Sequence, residues 1–320
     1  MKLIAILAAL GFEQWRAFDW RTGAERAFRG YAHAIELHLN GGTRGQGALA
    51  LAVAVVPLAA AVALVAWLLV SLHPLLALVF DVAVLYLLMG FRHFSHALSL
   101  IIAALRDGDL AAARRALAGW RGASSTDLSG HDVARLAVER GLVDAYRQVF
   151  GVVFWFVVLP GPVGAVIYRL TTLVASQWQA AQPGEDPGPL GRSLDAFGYP
   201  VRRLLWLLDW LPSRLTALAF AAVGDFEDAI YCWRAQARHW PEAQGGSAAG
   251  IVLATGAGAL GVRLGGPLPG VSGEPELRPD LGIGDAVEPE VLPSAVGLVW
   301  RALVLWLLLV LLLLLANWAP

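Results

Sequence analysis

The sequence is poor in cysteine, in charge and in lysine. Cys232 stands alone among 320 residues, so no internal disulfide can form and the fold does not depend on an oxidising compartment. Charged residues make up 15% of the chain, against roughly 25% in soluble proteins. So little charge cannot solvate a surface that faces water on every side. The net charge of −1 leaves no basic excess to neutralise phosphates, so no nucleic-acid partner is expected. Lys2 is the sole lysine, every other basic residue being arginine, which reflects composition rather than a site. No internal repeat recurs at a fixed period. The N-terminal "LIAILAALGF" lacks the layout of a signal peptide, because only Lys2 precedes it and no small-x-small site follows before Glu13. About ten residues are too few to span a bilayer, and a half-buried or re-entrant helix is expected there.

What fills the chain instead is apolar. Hydrophobic residues are 58% of it, and its mean hydropathy is +0.60. A bilayer core about 30 Å thick needs about 20 apolar residues in a helix, and several runs qualify. Ala48–Val70 is uncharged, and Pro74–Gly90, carrying Asp81, reads as its short return leg after "SLHP". Val149–Val174 is apolar except for Arg169, with "PGP" at 160–162. Leu204–Gly224 is apolar apart from Asp209 and Arg214, and Val296–Ala316 closes the series, with Trp306 and Trp318 placed as interface anchors. The expected architecture is all-α: one integral-membrane domain over 1–320, with about five transmembrane helices plus cytoplasmic amphipathic helices. It divides into a hairpin (48–90), a cytoplasmic helical segment (91–148), membrane helices (149–224), a cytoplasmic helix with a Gly/Pro-rich acidic loop (225–295) and a C-terminal membrane helix (296–316). Arginines concentrate in 13–47 and 91–148, which the positive-inside rule makes cytoplasmic. A multi-pass protein of a bacterial inner membrane is expected, with the bilayer as its first partner.

Between the runs, local signals mark further helices. Asp109 is an N-cap candidate for "LAAARRALAGW", in which Leu110, Ala113, Leu117 and Trp120 recur at helical spacing while Arg114, Arg115 and Arg121 lie off that stripe. Asp132 is placed to cap a second helix, where Arg135–Glu139 and Arg140–Asp144 form i,i+4 pairs worth a few tenths of a kcal/mol each if exposed. Residues 180–191 and 265–293 read as loops rich in proline, glycine and acids.

Chemistry has few places to sit. His93 and His96, at i,i+3 in "FRHFSH", have metal-ligand spacing but no third ligand nearby in sequence, and a membrane-helix end is an equally natural place for them. His33 and His38 offer no better set, and no metal site is expected. The serines and threonines near 124–129 have no elbow or base around them, and Cys232 reads as packing. Asp209 and Arg214 lie at membrane depth, where ionisable groups are costly and either functional or paired. They are about 140° apart on an ideal helix, though Pro212 between them can reset that geometry. Asp225, Glu227 and Asp228, with Arg234 and Arg238 a few turns on, form either a solvated amphipathic helix or a carboxylate cluster for a Mg²⁺–phosphate substrate. Glu274 and Asp285 in the acidic loop are candidates for the same purpose.

Residues 256–261 spell a formal GxGxxG, "GAGALG", after an apolar run that could be a strand. A dinucleotide fold requires a βαβ unit and an acid about 20 residues on. Here "GVRLGGPLPGVSGEPE" follows, with prolines where the second strand should run. The dinucleotide reading is rejected. A small-residue helix over Ala257–Leu264, packing closely against a membrane helix and ended by Gly265-Gly266-Pro267, fits better.

The same stretch resembles the "AGALGxxLGG" signature of the CobD/CbiB family of membrane proteins from cobalamin biosynthesis, matched by Ala257–Gly266. "LRDGDLAAARRALAGWRG" (105–122), "AVERGLVDAYRQVFGVVFWFVVLPGPVGAVIYRLTTL" (137–173), "LPSRLTAL" (211–218), "WR" (233–234), "GE" (273–274), "IGDA" (283–286) and "LVWRA" (298–302) extend the similarity through most of the chain in order. The resemblance implies a step of the adenosylcobinamide-phosphate synthase kind. In that step aminopropanol or its phosphate is attached to adenosylcobyric acid, a corrinoid, by an ATP-dependent amide bond. It implies Mg²⁺ and ATP during turnover, with no tightly bound cofactor. Glu139, Asp144, Glu274 and Asp285 are then the catalytic carboxylates, and Arg214, Arg263, Arg234 and Asp209 the substrate-binding residues. A homo-oligomer is compatible with it.

Several acids of that family's pattern are missing. "VERGLVDAYRQ" keeps Glu139 without a following Glu-Asn pair, "TTLVASQWQ" (171–179) has no acid, and only Asp209 lies near "PSRL". Such losses suit reduced or lost activity. They also suit a second resemblance, to AmpE, a membrane protein associated with β-lactamase regulation, carried by "LDWLPSRL" (208–215), Phe154–Phe156 and the C-terminal helix. The alternative expectation is therefore a non-enzymatic membrane regulator.

Overall fold

The computed structural model describes residues 2–15, 20–122, 125, 127–178, 189–268 and 277–316. In chain order its elements are α1 (Lys2–Trp15), α2 (Trp20–Leu39), α3 (Arg44–Leu72), α4 (Pro74–Leu88), α5 (Phe91–Arg106), α6 (Leu110–Arg121), α7 (Gly130–Ala145), a π-helical turn at Tyr146–Phe150, α8 (Gly151–Val158), α9 (Val163–Trp178), α10 (Pro189–Val223), α11 (Phe226–Gln236), α12 (Gly246–Leu260), β1 (Val262–Gly265), β2 (Asp280–Leu281), β3 (Asp285–Ala286) and α13 (Leu292–Ala316). The protein is all-α and polytopic, as the apolar runs require. Among the described residues, four stretches are long and apolar enough to cross a membrane: Arg44–Leu72, Gly130–Val158, Ala196–Val223 and Pro289–Ala316. Pro74–Leu88, Phe94–Arg106 and Gly246–Leu260 are apolar but shorter. The run 149–174 differs from expectation. It is two helices, because Pro160 and Pro162 interrupt the hydrogen-bond ladder and Gly161 turns the chain at φ +65°.

One unit comprises Met1–Met89 and Gly151–Trp210. Its α3–α4 hairpin turns at His73, whose backbone is extended and whose imidazole Nδ1 accepts from the Leu75 N–H at 3.2 Å. Pro74 at the first helical position has no N–H to orphan. The helix α1 packs on α4, and Lys2 Nζ donates to the carbonyls of Val157 (2.7 Å) and Leu159 (3.1 Å). A cation thus satisfies the last carbonyls around the end of α8, where the helix dipole favours it. Close helix approach in this unit depends on glycine. A Cβ on Gly164 would meet the Trp155 carbonyl, and one on Gly151 would meet the Tyr168 ring. Arg169, buried on α9, pairs with Glu25 at 2.6 Å. On α2, His38 bonds the Ala34 carbonyl and His33 faces Glu36, so the two imidazoles do not share a ligand position.

The second unit comprises Gly90–Phe150 and Leu211–Pro320. Asp109 caps α6 by accepting from the Ala112 N–H at 2.8 Å, and Gly122 ends that helix in the left-handed region at φ +71°. Ala113, Leu117 and Trp120 are buried, as their spacing predicts. Asp109→Ala is expected to destabilise this unit by about 1 kcal/mol, read as a lowered midpoint in chemical unfolding. The cap of α7 differs from expectation: it is Ser129, not Asp132. Asp132 occupies the third helical position and closes a reciprocal capping box, accepting from the Ser129 N–H at 3.2 Å while the Ser129 hydroxyl accepts from the Asp132 N–H. Cys232 is buried, and burial, with Asp228 adding to it, pushes its thiol pKa up. It stays a protonated packing group.

Candidate functional site

The glycine-rich signature folds as a helix, a cap and a strand. The helix α12 ends at Leu260, not Leu264, because Gly261 takes the left-handed conformation (φ +65°) and its N–H returns to the Gly258 carbonyl. Inside α12, a Cβ on Gly256 would strike Leu142 of α7, and one on Gly258 would strike the Asp228–Ala229 backbone of α11. These two glycines let α12 lie against α7 and α11. A helix, not a strand, precedes the GxGxxG, so its first two glycines serve packing rather than phosphate binding.

Beyond Gly261 the chain enters β1, which pairs antiparallel with β2 (Leu264 opposite Leu281) and parallel with β3 (Val262 opposite Asp285). Gly265 and Gly266 both sit at φ +73°, and a Cβ on Gly265 would overlap the Pro279 carbonyl oxygen. The turn therefore demands glycine for conformation and for space.

Glu139 holds this turn from α7. Its carboxylate accepts from the Gly265 N–H (2.8 Å) and from Arg278 through both Nη1 (2.7 Å) and Nη2 (3.2 Å). Arg278 completes itself on the carbonyls of Gly266 (3.1 Å, from Nε) and Gly265 (3.2 Å, from Nη2), and its guanidinium lies 5.6 Å from the Trp240 ring centroid. Both side chains are more than nine-tenths buried. This is a bidentate, charge-assisted pair between two buried side chains, and each of the three guanidinium nitrogens donates to an acceptor. The expected Arg135–Glu139 pair is thus replaced. Arg135 instead bridges Asp132 (2.8 Å) and the Pro267 carbonyl (2.9 Å). Asp132, Arg135 and Glu139 recur at i, i+3 and i+7, so one face of α7 fastens residues 265–267.

Asp144 is buried, accepting from the Trp120 indole N–H (3.0 Å) and Arg140 Nε (3.1 Å), so the Arg140–Asp144 pair forms but is not fully exposed. Arg263 on β1 and Asp285 on β3 are exposed on paired strands, and Arg263 donates to the Gly284 carbonyl at 3.3 Å. Arg234 is exposed on α11, whose N-cap is Asp225, accepting from the Asp228 N–H at 3.0 Å. Arg214 is half-buried on α10. Asp209 belongs to the other unit, where it is buried and accepts from the Tyr168 hydroxyl at 2.8 Å. Glu274 lies outside the described residues. Arg278 escaped the sequence reading altogether. Its only signal was a lone arginine between acids in "EPELRPD", which local spacing cannot pair with a glutamate 139 residues away. Gln236 was missed too; its side chain accepts from the Gly282 N–H (2.6 Å) and donates to the Gly282 carbonyl (3.2 Å), tying α11 to the segment between β2 and β3.

A family model described as CobD/Cbib protein matches residues 19–299. The chain belongs to the CobD/CbiB family. It is 37% identical over 290 residues to the cobalamin biosynthesis protein CobD of Stutzerimonas stutzeri, covering 89% of each chain. To the protein of that name from Chromobacterium violaceum it is 38% identical over 264 residues, 82% of this chain and 78% of the relative. No solved structure matches. The glycine turn, its Glu139–Arg278 clasp and the β1–β3 register all fall inside the matched span, so the site described is part of what this chain shares in extent with the CobD/CbiB family.

Proposed function

We propose that this chain acts in cobalamin biosynthesis as a membrane-embedded synthase, joining aminopropanol or its phosphate to adenosylcobyric acid. The observation that carries this reading is the family match over residues 19–299, with relatives named cobalamin biosynthesis protein CobD matched over 89% and 78% of their length. The AmpE-like regulator is not favoured, since these matches extend over the signature and the acidic segment alike. The reaction forms a C–N bond between a carboxylate carbon and an amine and expels one carboxylate oxygen. Its driving force is phosphoryl or nucleotidyl transfer from ATP as co-substrate.

The described carboxylates do not form a resident Mg²⁺ site. Both oxygens of Glu139 and Oδ2 of Asp144 are engaged by N–H donors, and among the described residues no three His, Cys, Asp or Glu side chains converge. Glu139 is accordingly a positioning residue. It fixes the Gly265–Gly266 turn, and through it the strand that carries Arg263 beside Asp285. Those exposed side chains have the freedom to meet a corrinoid carboxylate or an amine.

The protein is placed in the bacterial inner membrane, with this glycine turn on the cytoplasmic side where the substrates are. With Cys232 replaced by serine, Asp107→Cys, in the exposed turn between α5 and α6, should react with a membrane-impermeant maleimide in inverted vesicles and not in intact spheroplasts. Labelling in spheroplasts would reverse the orientation. The activity itself is tested by expressing the chain in a bacterium lacking its own synthase. Growth that depends on cobalamin should return when cobyric acid is supplied, and failure to grow with the protein present in the membrane would refute the synthase reading.

A further inference from the structure

Two arginines outside the site above have aromatic rings as partners instead of acids. Arg44, the first residue of α3, holds its guanidinium 4.4 Å from the ring centroid of Tyr199, and Arg203 on α10 holds its own 4.4 Å from that of Trp206. All four residues are exposed, and among the described residues no carboxylate pairs with either arginine. A guanidinium stacked by its face on a ring keeps its edge N–H groups free, and that edge matches two oxygens of a phosphate.

The spacing of the residues builds a surface from these pairs. Tyr199, Arg203, Trp206 and Trp210 recur at steps of four, three and four, so they line one face of α10, and each is exposed. Phe197, Val201, Leu205 and Asp209 lie on the other side of the helix and are buried. Arg44 joins the exposed stripe because α3 and α10 touch at this level, where a Cβ on Gly47 would overlap the Phe197 carbonyl oxygen. Here too begin the long apolar stretches of both helices, Arg44–Leu72 and Ala196–Val223. Farther along them Leu49 and Leu207 are exposed. The surface thus passes from guanidinium through amphipathic ring to aliphatic side chain within about two helical turns, roughly 11 Å. A phospholipid presents the same order, with its phosphate outermost and its chains within, and tyrosine and tryptophan favour the boundary between them. Cations without a neighbouring acid select a headgroup of net negative charge over a zwitterionic one, whose ammonium they repel.

We infer that Arg44, Tyr199, Arg203 and Trp206 form a docking surface for an anionic phospholipid. The two guanidinium groups take the headgroup phosphate, the rings hold them in place, and Leu49 and Leu207 meet the start of the acyl chains. Lipid binding here requires no synthase activity.

The test uses the full chain, delipidated in maltoside micelles and titrated with phosphatidylglycerol or with phosphatidylcholine of the same chains, the bound lipid being counted by native mass spectrometry. Wild type is expected to retain phosphatidylglycerol about fivefold better or more. Arg44→Gln combined with Arg203→Gln should lose that preference, and the corresponding pair of lysine replacements should keep part of it. Tyr199→Leu combined with Trp206→Leu should weaken it, since the guanidinium groups lose the rings that hold them. Arg115→Gln removes an exposed arginine on α6 and should leave the preference intact. Circular dichroism checks the helical content of each variant. Should the paired glutamine variant fail to fold, Arg203→Gln alone is read in its place, a weakened preference supporting the surface and an unchanged one overturning it. Equal retention of the two lipids by wild type would overturn it without any variant. So would a paired glutamine variant as selective as wild type, or an equal loss with Arg115→Gln, which would reduce the effect to overall charge. Displacement of the lipid by millimolar inorganic phosphate would make the occupant a soluble anion. A lipid-free dimer that the paired glutamine variant abolishes would make it a second copy of the chain. Either result contradicts a lipid surface.

Discussion

Replacing Arg278 by alanine is expected to destabilise the unit built on α7, α11 and α12 by about 3–5 kcal/mol, the range for removing one partner of a buried ion pair. The magnitude follows from what is left behind. Glu139 would remain buried with only the Gly265 N–H, and the carbonyls of Gly265 and Gly266 would lose their guanidinium donor. Glu139→Gln should also be costly: its amide oxygen can still accept from the Gly265 N–H and Arg278 Nη2, but the amide NH2 that replaces Oε2 cannot accept from Nη1, and the buried guanidinium loses its counter-charge. The paired replacement Glu139→Leu with Arg278→Met should recover much of the single-variant loss, since an apolar pair carries no desolvation cost. Unfolding in mixed maltoside–dodecyl sulfate micelles, followed by far-UV circular dichroism, measures all four proteins. A loss below about 1 kcal/mol for Arg278→Ala, the range of exposed ion pairs, would mean that the pair is solvated and that the clasp does not hold the turn.

The second large effect belongs to Gly265. Alanine there must adopt φ +73° and place its Cβ on the Pro279 carbonyl oxygen. The backbone strain alone costs of order 1–3 kcal/mol. Moving the turn to relieve the overlap stretches the N–H bond to Glu139, of a kind worth about 1.5–3 kcal/mol when the acceptor is charged. Gly265→Ala is therefore expected to lose about 3 kcal/mol or more and, because β1 is displaced, to lose synthase activity even where some protein folds. Gly119→Ala is the matched control. Gly119 is exposed within α6, and a Cβ there meets nothing within 4 Å, so alanine should stabilise by about 0.5–1 kcal/mol. The same unfolding assay reads both, and equal behaviour of the two variants would contradict the account of the turn.

The pattern of what could be read from the chain follows the range of the forces involved. The apolar runs announce themselves, because a bilayer imposes length and composition on each segment independently. Asp109 and the buried stripe of α6 were equally legible, being set by neighbours three and four residues away. Local reasoning went astray where two local partners competed. Asp132 is a plausible cap, yet Ser129, three residues earlier, takes that place and turns Asp132 into the other half of the box. Glu139 had a plausible partner in Arg135 one turn back, but burial beside Gly265 gave the advantage to Arg278, which arrives from the far end of the matched region. The helix expected over Ala257–Leu264 stops at Leu260 for a related reason. Val262–Gly265 finds strand partners in Asp280–Leu281 and Asp285–Ala286, and pairings across such separations leave no periodic trace. The glycine signature was thus visible as a string, while its purpose, two glycines for packing and two for a clasped turn, required the fold.

The central claim is that this chain makes the amide bond of cobinamide, and the most direct test is product formation by the purified protein. Wild-type chain in detergent or nanodiscs would be supplied with adenosylcobyric acid, aminopropanol or aminopropanol phosphate, ATP and Mg²⁺, and the corrinoids resolved by mass spectrometry. The account predicts a new species heavier than adenosylcobyric acid by the amine less one water, absent without ATP and lost with Gly265→Ala. Unchanged adenosylcobyric acid after incubation with folded, membrane-reconstituted protein and both amines would contradict it.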